Sequence, residues 1–280
     1  MSEHREIDVL FQGVPHAVYA HLIDGHLVDP GPESSFGTLL EALGDERPRA
    51  VVLTHIHLDH AGAAGALVRR WPDLEVWVHH TGARHVIDPS RLVASATRIY
   101  GDRMQELWGE IVPVPEANVR ILDGDDGAID GFRWAWTPGH AVHHVAYLHE
   151  ATGIAFAGDV AGVRIAAGPI MPPTPPPDID VEVWHRSIDL VGDWSPSALA
   201  VTHAGTFTDV GEHLATLHHE LDRIAELARV GDEAHFEAQM RAAFADSPGE
   251  ERSYLAAMPP ETLYGGLARY WRNRNTAEPR

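Results

Sequence analysis

An α+β chain ending in a helical extension is the fold class the sequence predicts, on three observations. Short apolar runs bounded by Gly, Pro and Asp recur between residues 7 and 157, segments with helical spacing interrupt them, and helical stripes take over beyond residue 181. With 280 residues, 44% of them hydrophobic and 22% charged, the chain can bury a substantial core. No uncharged apolar run approaches the ~20 residues of a membrane helix, so no membrane partner is expected.

The elements follow in order. Residues 7–13, 16–24 and 26–29 read as antiparallel strands, with turns at Gly25 and Pro30-Gly31. Ser34 or Ser35 is a candidate cap for a short helix that carries Phe36, Leu39, Leu40 and Leu43 and stops at Gly44. The run Ala50-Val51-Val52-Leu53 is a buried strand, 63–71 a helix, 75–78 a strand, and 89–109 one long helix with Leu92, Ala96, Ile99, Tyr100, Met104 and Leu107 on one side. Strands at 119–122, 132–136, 144–148 and 154–157 fill the middle third. The Asp123–Gly127 segment lacks the Glu that ends a calcium loop, Trp134 standing in that place, and reads as a turn joining strands. Residues 168–177 hold six Pro in ten, which forbids regular structure and predicts a stiff connection across the surface. Helices follow at 181–194 and 210–229, the second striped with Leu214, Leu217, Leu221, Ile224 and Leu227, and the remainder is helix-like.

Composition narrows the chemistry. There is no Cys, which excludes disulfides, thiolate catalysis and Cys-ligated clusters, and every one of the 21 basic residues is Arg, which excludes a Walker A or Schiff-base lysine. Against 41 acidic residues the formal charge is -20, a field that repels nucleic acid and leaves a small-molecule substrate as the expected partner. The first seven residues lack the basic-then-apolar order of a secretion signal, so the cytoplasm is the expected compartment.

The 20 His are the compositional oddity, and they cluster. Residues 54–62 read THIHLDHAG, which packs His55, His57, Asp59 and His60 into a loop directly after the buried strand. Downstream, His140 ends the run TPGH, Asp159 ends AGD and His203 ends VTH, each after an apolar strand. Seven nitrogen and oxygen donors from four strand ends can build two adjacent metal sites with a carboxylate spanning both ions, and without thiolates they suit zinc, iron or manganese.

With that His-x-His-x-Asp-His motif and the distant His, Asp and His, residues 7 to 210 resemble the metallo-beta-lactamase superfamily. The resemblance implies a four-layer αβ/βα sandwich of two mixed sheets with helices outside. It implies that His55, His57 and His140 bind a first metal, Asp59, His60 and His203 a second, and that Asp159 bridges. Two divalent ions, zinc foremost with iron or manganese compatible, are the implied cofactors. A metal-bound hydroxide would cleave an ester, lactone or thioester, with Asp59 as the catalytic residue that holds it and passes its proton on. The absent Cys points away from antibiotic hydrolysis. The TPGH segment is similar to glyoxalase II, where a Gly-His pair follows; here His144 keeps the His and His143 replaces the Gly. The same motif serves mononuclear iron sulfur dioxygenases and phosphodiesterases, which stand as alternatives, as does a metal-binding scaffold that does not turn over.

Residues 1–210 are thus expected to form the catalytic domain and 211–280 a helical extension packed on it, with homodimerisation through the helical stripe as a further option. Asp29, in Asp-Pro-Gly, fits both an ordinary turn and a carboxylate that orients a ligand His. His79, His80 and His85 read as structural or edge histidines, and His213, His218 and His219 as surface positions on an amphipathic helix. Tyr100, Arg103, Arg164 and Met171 are the candidates for substrate contact, in loops spanning about 84–115 and 160–180.

Overall fold

The computed structural model describes residues 3–245, 247 and 249–277. The first sheet runs in chain order: β1 (His4–Asp8), β2 (Tyr19–Ile23), β3 (His26–Val28), β4 (Ala50–Val52), β5 (Glu75–His79) and β6 (Val119–Leu122). Its first three strands pair antiparallel and β3 to β6 pair parallel. The second contains β7 (Asp126–Ile129), β8 (Phe132–Trp136), β9 (Val145–His149), β10 (Ile154–Phe156), β11 (Ala198–Val201) and β12 (Gly205–Phe207), in the order β12-β11-β10-β9-β8-β7. Only β10 and β11 pair parallel there.

The helices are α1 (Phe36–Leu43), α2 (Leu58–Ala61), α3 (Ala64–Arg70), α4 (His80–Ile87), α5 (Ser90–Tyr100), α6 (Met104–Trp108), α7 (Val181–Asp193), α8 (Val210–Val230), α9 (Glu233–Ala245), α10 (Glu251–Ala257) and α11 (Pro260–Ala277). Ile23, Val52 and Trp77 of the first sheet meet Phe132, Tyr147 and Phe156 of the second in a shared core. A second cluster packs helices such as α1 and α3 on the outer face of the first sheet, and a third packs α7 to α11 on the second. The layers are therefore αβ/βα, an α+β sandwich. None of the described helices is long and apolar enough to cross a membrane.

The structure corrects several expectations. The first strand is His4–Asp8, and Phe11–Gly13 is a single turn of 3-10 helix, because Leu10 and Gln12 take positive φ and break the extended run. The helix expected over 89–109 is divided at Gly101, whose φ of 53° suits glycine. The sequence reading passed over α4, β7 and β12, which are short and lack clean periodicity. The Asp123–Gly127 segment carries the chain from one sheet to the other.

The proline-rich segment is not laid across the surface. Ile170, Met171 and Thr174 are buried, with the Thr174 hydroxyl donating to the Leu263 carbonyl at 3.1 Å and the Tyr254 hydroxyl to that of Pro169 at 2.6 Å. Proline has no N–H to satisfy, so such a stretch buries with fewer stranded donors. His213 is likewise fully buried, its Nε2 bonded to the Ala161 carbonyl at 2.8 Å. It lies four residues before Leu217, on the apolar stripe, so periodicity places it inward. His218 is half-buried and His219 exposed, and Leu227 is only partly buried. Residues 278–280, included in the helical reading of the C-terminus, lie outside the described residues.

Candidate metal centre

Every proposed donor stands just beyond the C-terminal end of a strand. Strand β4 is paired on both sides, so its run is apolar and buried, and the chain leaves the sheet at Leu53 to bring His55 and His57 out ahead of α2, which carries Asp59 and His60. The β8–β9 connection holds His140, the 3-10 turn after β10 holds Asp159, and the β11–β12 connection holds His203. Two of these turns require glycine. A Cβ on Gly139, at φ 127°, would come within 2.3 Å of the Trp184 Cα, and one on Gly158, at φ 45°, within 2.5 Å of the Thr54 hydroxyl.

The seven side chains form two groups. His55, His57, His140 and Asp159 offer atoms that lie within 4.8 Å of one another, and so do Asp59, His60 and His203. In the first group, His57 Nδ1 is 3.0 Å from His55 Nε2 and 3.1 Å from His140 Nε2. Asp159 Oδ2 is 3.3 Å from His140 Nε2 and 3.9 Å from His55 Nε2, while its Oδ1 turns to the second group, 3.3 Å from His60 Nε2 and 3.6 Å from His203 Nε2. Asp59 Oδ2 closes that group at 3.4 Å from His203 Nε2 and 3.8 Å from His60 Nε2.

The outer ring nitrogens fix which lone pairs face inward. His140 Nδ1 donates to the Pro173 carbonyl at 2.9 Å, His203 Nδ1 to the Ala17 carbonyl at 2.6 Å, and His60 Nδ1 to Asp29 at 2.8 Å. The Thr54 hydroxyl donates to Asp29 at 2.6 Å and therefore accepts from His55 Nδ1 at 3.1 Å. Four imidazoles thus turn their Nε2 lone pairs toward the two carboxylates. His60 Nε2 and Asp159 Oδ1 are buried without a hydrogen-bond partner. Converging lone pairs and orphaned buried atoms are costly unless a cation satisfies them, so the residues fit divalent metals.

Electrostatics divide the groups. Burial holds His55 well below its ordinary pKa, helped by the neighbouring His60 and His57, and pushes His140 down to about 4 although Asp159 opposes it. Burial also lowers His57. In the second group burial opposes charge on His60 and His203, but the carboxylates of Asp159 and Asp59 outweigh it and raise both. Burial disfavours the charged carboxylates too, yet His60 and His203 bring Asp59 down to about 2, and His60 and His140 bring Asp159 well below the usual range. The second group thus attracts positive charge strongly, whether proton or metal.

Asp29 turns the chain and also bonds His60, a candidate ligand. Its φ is 46° and, fully buried, it accepts from the Thr54 N–H, the Thr54 and Thr202 hydroxyls and His60. Sequence reading missed the threonines, although Thr precedes His at both 54–55 and 202–203. His144 is structural, bonded to Thr137 Oγ1 and the Val160 N–H, whereas His143 lies with its ring centroid 5.5 Å from that of His57 and lines the cavity above the cluster. His79 is held by Thr81 and the Gly124 carbonyl, His80 lies 3.6 Å from Asp123, and His85 reaches the cavity.

That cavity, about 730 Å³, opens over His57, Asp59, Asp159 and His203. Tyr100 and Arg103 line it, but Arg164 and Met171 do not. Arg164 instead braces the His203 loop, its N–H donating to the His203 carbonyl at 2.6 Å and its guanidinium pairing with Asp209.

An αβ/βα sandwich with a two-part His/Asp cluster at its strand ends defines a class of metal-site proteins. This chain belongs to the metallo-beta-lactamase superfamily, whose family model matches residues 15–266. It is similar to the metallo-beta-lactamase fold-containing protein ST1585 of Sulfurisphaera tokodaii, 27% identical over 172 residues that cover 59% of this chain and 64% of that protein. It is also similar to a hydroxyacylglutathione hydrolase of Xanthomonas euvesicatoria, 32% identical over 133 residues, covering 48% of this chain and 40% of the relative. The chain thus spans less than two thirds of the length of these two curated relatives. The crystal structure of ST1585 from Sulfolobus tokodaii has the same fold, with a TM-score of 0.69 at 22% identity, covering 95% of this chain and 98% of that one.

Proposed function

We propose that the protein is a metal-dependent hydrolase that cleaves an ester, lactone or thioester of a small molecule at a dinuclear centre. One observation carries the reading: Asp159 divides its two carboxylate oxygens between two donor groups, Oδ2 toward the His55, His57 and His140 trio and Oδ1 toward His60 and His203. His55, His57 and His140 would hold one ion, Asp59, His60 and His203 the other, with Asp159 between them. The N/O donor set suits zinc first, with iron or manganese compatible. Two divalent ions, when bound, supply Lewis acidity and lower the pKa of water toward ~7.

The chain's own residues do the rest. Asp59 both belongs to the cluster and lines the cavity, so its carboxylate is the group placed to accept a proton from attacking water and return it to the leaving group. Water adds across the acyl C–O or C–S bond; the acyl carbon keeps the oxygen, and the departing alcohol or thiol takes the proton. Buried Ile56 and Leu58 and half-buried Tyr100 line the cavity and would shield the reacting carbonyl from bulk water. The relative named as a hydroxyacylglutathione hydrolase supports including thioesters in the substrate class.

The test is a panel of esters, lactones, thioesters and phosphodiesters assayed on protein of measured metal content. Hydrolysis of acyl substrates at two ions per chain is expected. A fixed stoichiometry of one ion, with His60 and His203 dispensable for binding and rate, would overturn the dinuclear reading.

A further inference from the structure

The cavity's wall is at odds with the rest of the molecule. The chain carries a formal charge of -20, yet Arg84, Arg91, Arg103 and Arg252 all line this one cavity, against Asp178 and Glu261 apart from the metal-cluster carboxylates. Two of these charges are already neutralised locally, since Arg103 pairs with Glu106 at 3.4 Å and Glu261 with Arg241 at 2.9 Å. Arg84, Arg91 and Arg252 form no ion pair with a carboxylate among the described residues; Arg84 bonds only the His85 ring, at 3.1 Å. Among the described residues, that leaves three guanidinium groups without a salt bridge facing one cavity carboxylate, with Asp88 outside the lining feeling the charge of Arg91. They come from separate elements, Arg84 from α4, Arg91 from α5 and Arg252 from α10, so the cationic rim is assembled by the fold.

Deeper in, the lining changes character. Phe11, Val14, Val18, Leu107 and Trp108 are almost fully buried and supply an apolar interior. At the mouth, Ile99 and Val142 are 43% and 46% exposed, two of the few large apolar side chains left open to solvent among the described residues, and both line the same cavity. A volume of about 730 Å³ lies within the ~300–1,000 Å³ of sites that bury most of a drug-sized ligand. An apolar interior that ends at an arginine-rich rim fits a molecule with an apolar body and an anionic group, because guanidinium recognises carboxylate and phosphate through paired hydrogen bonds and reverses the repulsive field locally.

We propose that the substrate is an anionic amphiphile: an ester or thioester whose medium-length apolar portion fills the cavity and whose carboxylate or phosphate is held by Arg84, Arg91 and Arg252. This rests on the reading of the His/Asp cluster as a hydrolytic centre, and it adds the substrate class. The chemistry explains why an acidic protein without Lys places at one opening three Arg that form no salt bridge among the described residues.

The test uses the metal-loaded full chain and two sets of medium-chain esters and thioesters, each pairing a carboxylate-bearing member with its primary amide. One set carries the group on the acyl side and the other on the leaving-group side. In at least one set the anionic member should show a kcat/KM about tenfold or more above its amide. That ratio should fall with added salt and approach one in the R91Q/R252Q double variant. Anionic members no better than their amides in both sets, or a preference that survives the double variant, would overturn the proposal. If no member of either set is hydrolysed by enzyme holding two ions, the hydrolase reading fails, and the anion site is judged by calorimetry with decanoate and decyl phosphate. Wild-type protein should then bind at least one of them about tenfold or more tightly than R91Q/R252Q; equal affinity for both would overturn the site as well.

Discussion

Asp29→Asn probes the metal centre through a residue outside both donor groups. Asp29 Oδ2 accepts from the Thr54 hydroxyl at 2.6 Å, His60 Nδ1 at 2.8 Å and the Thr202 hydroxyl at 2.9 Å, while Oδ1 accepts from the Thr54 N–H at 2.8 Å. An amide keeps most of these only with its oxygen in the Oδ2 position, which sets its NH2 against the Thr54 N–H. One buried bond to a charged acceptor is then lost, worth about 1.5–3 kcal/mol of stability. Asn tolerates the positive φ at this position, so the backbone itself is not strained. The His60 ring meanwhile donates to a neutral oxygen and becomes a weaker base, a change that commonly lowers metal affinity about 10–100-fold. Chelator competition on the folded variant should therefore show the ion held by Asp59, His60 and His203 loosened while the other stays, with urea unfolding reporting the stability loss separately. Thr202→Val removes one bond to Asp29 and leaves His60 paired, so it should cost about 1 kcal/mol and leave metal affinity nearly unchanged. Unchanged affinity for both ions in a folded Asp29→Asn protein would refute the argument that Asp29 orients His60.

Asp159→Ala should release metal as well as abolish turnover, whereas Asp59→Asn should cost roughly 10²–10⁴ in rate with a smaller loss of metal; equal and complete metal loss in both would show that their roles are not separate. Acid should destabilise the protein through His21, whose pKa burial pushes down to about 4 beside His4. The unfolded state binds the proton first, so this contribution is intact above the ordinary His value near ~6.5, is lost as pH falls below it, and amounts to at most about 3 kcal/mol. Urea midpoints of His21→Gln should accordingly fall less steeply than wild type between those two values, and parallel curves would reject the assignment. A chain ending near Gly205 should be insoluble or non-cooperative in unfolding. Leu214, Leu217, Leu221 and Ile224 together bury apolar surface worth on the order of 6–12 kcal/mol, comparable to the whole stability of a domain. A soluble, cooperative and metal-loaded truncation would contradict this.

The donors were readable because side-chain identity encodes them: imidazole and carboxylate at the end of an apolar run are visible in any sequence, and four such ends narrow the chemistry. The groups that orient them were not equally visible. Ala17 and Pro173 act through their carbonyls, which every residue possesses, so nothing in their identity marks them. Asp29 looked like a turn because it is one, and its second role depends on Thr54 and Thr202 converging on it, the latter from 173 positions along the chain. Periodicity succeeded for the long helix α8; short strands were found where they are apolar runs, as at β4 and β10, and missed at β7 and β12, whose three or four residues include Gly and polar side chains and define no period. His213 was misread for the opposite reason: its chemistry suggested surface while its place in the stripe required burial.

The proline-rich segment joins the metal cluster to the C-terminal helices, which the sequence order keeps far apart. The Pro173 carbonyl accepts a hydrogen bond from His140 Nδ1, and the next residue, Thr174, donates through its hydroxyl to the Leu263 carbonyl in α11. Nearby, the Tyr254 hydroxyl of α10 accepts from the Ile165 N–H and donates to the Pro169 carbonyl, while the Arg164 N–H holds the His203 carbonyl. One side chain of each candidate metal group is thus tied through this stretch of backbone to the helices α10 and α11. The same helix α10 carries Arg252 and Leu255 into the cavity wall. A rigid segment with few N–H groups suits this position, because it can pass between two packed layers, spend its carbonyls on orienting side chains, and leave few donors unsatisfied. The geometry of the candidate metal groups and the shape of the pocket are therefore set by one set of contacts, and a change in the C-terminal helices that reshapes the cavity is expected to act on His140 and His203 as well.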